Sequence, residues 1–201
     1  MQTTLAQSTS PSLSAFAATL PGKLLLGLSA TAVVAAAAHV AIPLPFTPVP
    51  FILTPLAVLG VGLALGPVAG FFTLLAYLAE GAIGLPVFSP TGPGGIAQLF
   101  GPTGGYLMAY PLVAAIAGGL AQLLVRRMPR FVAATVAGIV AIAFLFVCGA
   151  AWFMQYAGHS LQATWIGSVA PFLPGEAVKI LAAAGIYSAL TRYPRAETPN
   201  S

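Results

Sequence analysis

The stretch FILTPLAVLGVGLALGPVAGFFTLLAYLAEGAIGL occupies residues 51–85 and is apolar for too long to be one membrane-spanning helix. A single span needs about 20 apolar residues. Gly66 and Pro67 stand in the middle, and a Gly-Pro pair is a strong local signal for a turn or a helix boundary. The stretch therefore predicts two short spans, at residues 53–65 and 67–85.

Composition places the rest of the chain in the membrane as well. Of the 201 residues, 59% are hydrophobic and 5% are charged, whereas about a quarter of the residues in a soluble domain are charged. This length has room for several spans and for no further soluble domain. The single cysteine, Cys148, excludes an internal disulfide and a metal cluster built from thiolates.

Four further spans are predicted on either side of this stretch, at residues 23–42, 106–125, 131–156 and 171–190. Residues 43–55, PLPFTPVPFILTP, hold five prolines and predict an extended connector, because proline lacks the N–H that a helix needs. Residues 86–105, PVFSPTGPGGIAQLFGPTGG, predict a loop whose glycines let its backbone approach a small ligand; a flexible linker is the alternative. Trp165 is expected in the loop after the fifth span.

The positive-inside rule supports six spans. With six, the Lys and Arg residues at the ends of the spans or outside them all fall on one side: Lys23, Arg126, Arg127, Arg130, Arg192 and Arg195. With one span at residues 51–85, Lys23 and the arginine cluster would lie on opposite sides. We therefore expect an all-α integral membrane protein with six transmembrane helices and both termini in the cytoplasm. Tails at 1–21 and 192–201 would flank a membrane domain at 22–191, and the net charge of +4 reflects topology and not nucleic-acid binding.

The last span, PFLPGEAVKILAAAGIYSAL, carries Glu176 and Lys179 three residues apart on one helical face. Charged groups at membrane depth are costly and are found mainly in polar cavities or in pairs. Glu176 lies in the first turn, where the helix dipole favours a carboxylate. The pair predicts a site for a compact, mostly apolar ligand with a ureido, amide or carboxylate group. The alternative is a structural salt bridge with Lys179 extended toward the interface.

Glu80 is the third charged residue inside an apolar run, on the same predicted face as Tyr77. It is either a polar residue of the site or a group at the outer water interface. His39 and His159 are expected near the outer ends of two spans, and they lack the neighbours that a metal site needs. We find no catalytic arrangement of Ser, His, Cys or carboxylates, so neither an enzyme nor a bound cofactor is predicted.

Several motifs together resemble those of one known family. They are PVPF followed by LAVL, the stretch LGPVAGFFTLLAYLAEGAIGLPVF, the loop ending GPTGGY, and E-x-x-K in the last span. In this combination and spacing the chain resembles BioY, the family of biotin-specific substrate-binding S components of energy-coupling factor (ECF) transporters. The resemblance covers roughly residues 24–190.

The resemblance implies a six-helix S-component fold that binds biotin near the outer face, with Glu176 and Lys179 at family binding positions. Further candidate contacts are Thr54, Tyr77, Glu80, Gln98 and Tyr106. Two positions depart from the family pattern. Thr54-Pro55 stands where Gln-Thr is usual, and Glu176 stands where Asp is common.

The resemblance also implies partners: a transmembrane coupling subunit and two cytoplasmic ATPases, with the chain in the inner (plasma) membrane. Small residues of the first span, Ala32 and Ala36, would form the docking face. The chain carries no Walker motif, so ATP hydrolysis is expected in the partners. Alternatives are an S component for another vitamin, a proton-coupled secondary carrier that uses Glu80, and a membrane scaffold or enzyme.

Overall fold

The computed structural model describes residues 19–191, so most of the N-terminal tail and the whole C-terminal tail predicted above lie outside the described residues. The helices are α1 (Leu20–His39), α2 (Thr54–Ala82), α3 (Gly95–Leu99), α4 (Gly104–Leu124), α5 (Arg130–Ala157), α6 (Leu161–Ser168) and α7 (Leu173–Leu190), with a 3-10 turn at Ala170–Phe172. Two short strands, β1 (Ala41–Leu44) and β2 (Thr47–Ile52), join α1 to α2. Within the described residues, five helical stretches are long and apolar enough to cross a membrane: α1, α2, α4, α5 and the stretch Leu161–Leu190.

The second of these stretches is a hairpin of two helices, as the Gly66-Pro67 pair predicts. Gly66 has φ 81° and ψ 178°, a backbone conformation outside the helical region. A Cβ placed on Gly70 would lie 3.2 Å from the Cα of Gly62, although residues eight apart in a straight helix are separated by about 12 Å along its axis. Residues 54–65 and 67–82 therefore fold back on each other, and the predicted break is confirmed.

Small residues hold this hairpin against α4. A Cβ on Gly62 would lie 2.3 Å from the carbonyl oxygen of Ala114, and a Cβ on Gly118 would lie 2.4 Å from the carbonyl oxygen of Gly62. Such positions let helix backbones approach closely, and this is how helices associate where lipid provides no hydrophobic drive. Close helix packing thus involves glycines of α2 and α4.

The proline-rich connector is extended, as predicted, but its strands are also paired. Strands β1 and β2 run antiparallel, with Ala41 opposite Ile52 and Leu44 opposite Thr47. Each strand of a two-stranded sheet has one free edge, so proline can be accommodated without breaking the pairing. The predicted boundary at residue 55 is wrong, because Thr54 and Pro55 already belong to α2. Proline is tolerated in a first helical turn, where its missing N–H would be unpaired in any case.

The boundaries of other helices differ from the predicted ones by a few residues. Helix α1 begins at Leu20 and ends at His39, with Thr19 accepting a capping hydrogen bond from the Gly22 N–H. The glycine-rich loop contains the short helix α3. Trp165 lies on helix α6 and not in a loop; the Ser160 hydroxyl caps this helix by accepting from the Ala163 N–H.

The two ends of the bundle differ in charge. The β1–β2 hairpin, residues 83–103 and residues 158–172 contain no Lys or Arg, and they carry the loops that surround the cavity described next. Lys23 lies near the start of α1, Arg126 and Arg127 lie between α4 and α5, and Arg130 is the first residue of α5, so all four lie at the other ends of these helices. Arg130 also donates a hydrogen bond to the carbonyl oxygen of Thr191, just after α7. The basic residues therefore mark the end opposite the cavity.

Candidate functional site

A cavity of about 350 Å³ lies at the end of the bundle whose loops contain no Lys or Arg. This volume falls in the range of small-molecule sites, about 300–1,000 Å³. Its lining comes from the β1–β2 hairpin, the glycine-rich loop and the facing ends of the helices. The predicted site residues that line it are Thr54, Tyr77, Gln98, Tyr106 and Glu176. The fold thus brings together residues separated by more than a hundred positions in sequence.

Glu176 is the charged residue in this lining. It lies in the first turn of α7 and is 5% exposed. One carboxylate oxygen, Oε1, is 2.6 Å from the ammonium of Lys179. The other, Oε2, is buried and has no hydrogen-bond partner among the described residues. Buried polar atoms are nearly always hydrogen-bonded, so this oxygen is available to a donor on a ligand.

Lys179 lies beside the cavity and not in its lining. Its Nζ donates to Glu176 and to the carbonyl oxygen of Ile52, each at 2.6 Å. The same ammonium lies 4.2 Å from the centre of the Phe51 ring. At 4% exposure the side chain does not extend to the interface. Lys179 therefore joins the end of β2 to the first turns of α7 and fixes the orientation of the Glu176 carboxylate.

Tyr77 and Tyr106 line the cavity, and each donates a hydrogen bond to a backbone carbonyl oxygen of a neighbouring segment. The Tyr106 hydroxyl donates to the carbonyl oxygen of Ser168 at 2.6 Å, and the Tyr77 hydroxyl donates to that of Val87 at 2.9 Å. Each phenolic oxygen keeps lone pairs that can still accept a hydrogen bond. Tyr110 lies near the Thr54 hydroxyl, but the Thr54 oxygen does not complete a hydrogen bond with it. The Thr54 hydroxyl can therefore both donate and accept, and the phenolic oxygens of Tyr77 and Tyr106 can still accept.

Gln98 uses its amide to shape the glycine-rich loop. Its Oε1 accepts from the Gly94 N–H at 3.1 Å, and its Nε2 donates to the Ser89 carbonyl oxygen at 3.3 Å. A Cβ on Gly92 would lie 2.7 Å from the amide carbon of Gln98. This contact explains why a glycine is needed there. Gln98 thus holds the loop in place as well as lining the cavity.

The remaining predicted residues lie elsewhere. Glu80 is absent from the cavity lining; its Oε1 instead accepts a hydrogen bond from the Thr31 hydroxyl of α1 at 3.1 Å. Ala32 and Ala36 are exposed on the side of α1 that faces away from the rest of the protein. The buried residues of α1 are Gly22, Thr31, Val34 and Ala38. Tyr77 and Glu80 therefore serve different neighbours although they are three residues apart.

Sequence reasoning missed Tyr110, which is 1% exposed and lines the cavity. Its spacing was a usable signal, because Tyr110 follows Tyr106 by four residues and so shares its helical face. Phe172 was also missed. It stacks on Phe51 with ring centres 6.5 Å apart, and no local pattern announces a contact between residues so distant in sequence.

Comparison with known proteins agrees with the fold. The model of the BioY family matches residues 9–196. The chain belongs to the BioY family. A BioY relative named biotin transporter, from Rhodobacter capsulatus, is 35% identical over 179 residues, which cover 84% of this chain and 92% of the relative. Another biotin transporter BioY, from Rhizobium etli, is 34% identical over 168 residues, or 80% of this chain and 87% of that protein.

A solved structure extends the likeness to three dimensions. The S component for biotin from an ECF-type ABC transporter, whose crystal structure was determined at 2.1 Å, matches with a TM-score of 0.77 and 27% identity. The match covers 86% of this chain and 92% of that one. The BioY resemblance seen in the sequence is confirmed, and the chain is a multi-pass membrane protein with the fold of that S component.

Proposed function

We propose that this chain binds biotin and mediates its uptake as the S component of an ECF transporter. The observation that most directly supports this proposal is the cavity of about 350 Å³ lined by Glu176, whose buried Oε2 has no hydrogen-bond partner among the described residues. Biotin offers a compact apolar ring system with two ureido N–H donors and a ureido oxygen, which suit the unpartnered oxygen of Glu176 and the hydroxyls of Thr54 and Tyr110. The family and the names of its relatives support the same ligand.

Several residues of the cavity would contribute to the recognition of biotin. Glu176 Oε2 accepts a ureido N–H, a charged hydrogen bond of about 1.5–3 kcal/mol. The hydroxyls of Thr54 and Tyr110 are near enough to each other to meet the ureido oxygen together. Tyr106 and Tyr77 provide apolar walls around the ring system. Lys179 acts through Glu176, and Gln98 acts through the loop that it holds.

The proposed topology has six transmembrane helices, with both termini in the cytoplasm and the cavity at the outer face of the plasma membrane. Support comes from the hairpin at Gly66 and from the Lys and Arg residues at the end opposite the cavity. The partners would be a transmembrane coupling subunit, which docks on the exposed face around Ala32 and Ala36, and two cytoplasmic ATPase subunits.

The test is binding of radiolabelled biotin to the purified full-length chain in lipid nanodiscs. We expect saturable binding that desthiobiotin displaces, because it keeps the ureido group, and that lipoate displaces poorly, because it lacks that group. The matched variant Glu176→Gln should bind more weakly. No saturable binding, or equal displacement by thiamine or riboflavin, would contradict the proposal.

A second measurement separates the transport alternatives. Cells that express the chain with its coupling and ATPase subunits should take up biotin in an ATPase-dependent manner. Uptake that a protonophore abolishes, and that persists without the ATPases, would instead favour a proton-coupled carrier. The location of Glu80 outside the cavity lining gives that alternative no structural support.

A further inference from the structure

Glu80 is a carboxylate in a long apolar helix, and the proposed binding site does not use it. It is half-buried in the last turns of α2, and its Oε1 lies 3.1 Å from the Thr31 hydroxyl oxygen, whose single proton is shared with the Leu28 carbonyl oxygen of the same helix at 3.0 Å. Thr31 is 3% exposed and is the twelfth of the 20 residues of α1. An intramembrane carboxylate is a candidate for a functional role, and here its partner lies at the middle of a spanning helix and not at the water interface.

This hydrogen bond joins α1 to α2 beside the apolar packing of Val34 and Ala38, both of which are fully buried. Helix α1 buries four residues, and Thr31 is one of them. Among the described residues, Thr31 to Glu80 is the one hydrogen bond between a side chain of α1 and a side chain of another element. The outer face of α1, with Ala32 next to Thr31, is left exposed. The position of this face therefore depends on this polar contact together with the apolar packing of Val34 and Ala38.

The helical turn that carries Glu80 also holds the loop over the cavity. Tyr77, one turn earlier, donates to the Val87 carbonyl and packs edge-on against Phe88, with ring centres 5.5 Å apart. The Phe88 ring lies directly on Gly81, where a Cβ would come within 2.1 Å of it. Tyr77 and Gly81 thus bind the loop on one side of the turn, and Glu80 binds α1 on another.

We propose that the Thr31–Glu80 hydrogen bond is a latch that couples occupancy of the cavity to the position of α1. A ligand that contacts Tyr77 or the 87–94 loop alters the packing of residues 77–81, and Glu80 passes this change to Thr31 at the centre of α1. Glu80 is therefore a positioning residue, which acts on uptake through α1 and not through contact with the ligand. This inference rests on the proposed function for its uptake measurement only.

The first test measures the latch without any ligand. In a Cys148→Ala background, spin labels at Val33→Cys on α1 and Leu112→Cys on α4 report the distance between the two helices. We expect Thr31→Val and Glu80→Leu to broaden or shift the distance distribution. Thr31→Ser and Glu80→Gln, which keep the hydroxyl and an acceptor oxygen, should preserve it. Identical distributions in all five proteins would overturn the latch, whatever the ligand proves to be.

The second test separates binding from uptake. Biotin affinity should stay within about twofold of the parent protein in all four variants, whereas ATPase-dependent uptake should fall about tenfold in Thr31→Val and Glu80→Leu, a loss within the usual range of coupling between sites. Since both remove the same bond, the double variant should lose no more than the worse single one. The proposal would be overturned if the uptake losses of the two single variants added up in the double variant. It would also be overturned if uptake fell only in variants that also lost biotin affinity or thermal stability. Failure of the unmodified chain to bind biotin would contradict the proposed function. The distance measurement needs no ligand, so it would still decide whether the Thr31–Glu80 contact positions α1.

Discussion

Glu176 and Lys179 occupy the same face of α7 yet have different surroundings. The carboxylate reaches the cavity, while the ammonium is held by the Ile52 carbonyl, the Phe51 ring and Glu176 itself. A buried charge is tolerable only when it is paired and hydrogen-bonded. The pair therefore leaves one carboxylate oxygen of a cavity-lining residue, Oε2, without a partner among the described residues and keeps the counter-charge on the other oxygen.

Lys179→Ala should weaken biotin binding by about one to a few kcal/mol. The substitution removes a charged hydrogen bond and leaves Glu176 buried without its cation. Isothermal titration calorimetry on the purified chain measures the change. Val178→Ala, on the exposed neighbouring face of the same helix, is the control and should bind like the unmodified protein. An unchanged affinity in Lys179→Ala would show that the lysine does not orient the carboxylate.

At the scale of the elements, the β1–β2 hairpin is fastened at three points, one on the 3-10 turn that precedes α7 and two on α7 itself. Phe51 stacks on Phe172 and lies against Gly175, where a Cβ would come within 2.2 Å of the ring. Lys179 adds the hydrogen bond to Ile52. The hairpin thus closes one side of the cavity as an ordered element, and the glycine-rich loop closes another through Gln98 and Tyr77.

The turn at Gly66 decides whether α2 is one helix or two. Its φ of 81° and ψ of 178° fall in a region that is essentially restricted to glycine, and a Cβ there would lie 2.7 Å from the Gln122 amide nitrogen. Gly66→Ala should destabilise the fold by about 1–3 kcal/mol. A lowered midpoint of thermal denaturation in detergent would report this loss.

Gly60→Ala is the matched control for that substitution. Gly60 lies in the same element, where a Cβ would meet nothing within 4 Å, and alanine favours a helix over glycine by about 0.5–1 kcal/mol. The control should therefore be as stable as the unmodified protein or slightly more so. Equal midpoints for Gly66→Ala and Gly60→Ala would contradict the role assigned to the turn.

At the scale of the whole molecule, the exposed side of α1 is the surface that the proposed docking requires. A bulky residue there should leave the cavity intact, since Ala36 is exposed and does not line it. Ala36→Trp should therefore bind biotin normally and take it up poorly in cells that contain the coupling subunit. The same comparison with Ala32→Trp should give the same result.

Ile139→Trp provides the control, because Ile139 is 54% exposed on α5, away from α1. It tests whether a large indole on any lipid-facing surface is enough to impair uptake. Uptake in this variant should equal that of the unmodified chain. Loss of biotin binding in Ala36→Trp would mean that the alanine face packs within this protein.

The proposed orientation can be read from the accessibility of single cysteines. In a Cys148→Ser background, His159→Cys lies at the cavity end and Arg127→Cys at the basic end, both at exposed positions. A membrane-impermeant maleimide added to intact cells should label the first and not the second. Labelling of residue 127 from outside would reverse the topology.

Much of the architecture follows from local sequence. The membrane class follows from composition, and the break at Gly66 follows from a Gly-Pro pair in an overlong apolar run. The extended conformation of residues 43–52 follows from proline chemistry. Glu176 was identified as a candidate because a carboxylate at membrane depth needs a reason. These properties depend on each residue and its near neighbours, so a single sequence is enough to predict them.

The direction in which each side chain points was decided only by the tertiary structure. Helical spacing shows that Tyr77 and Glu80, or Glu176 and Lys179, lie near one another, but the rotation of a helix about its axis depends on its packing partners. Packing turned Tyr77 toward the cavity and Glu80 toward Thr31, and it placed Lys179 behind Glu176. The sequence by itself determined which groups are available to bind a ligand, and the contacts between distant segments determined which of them face it.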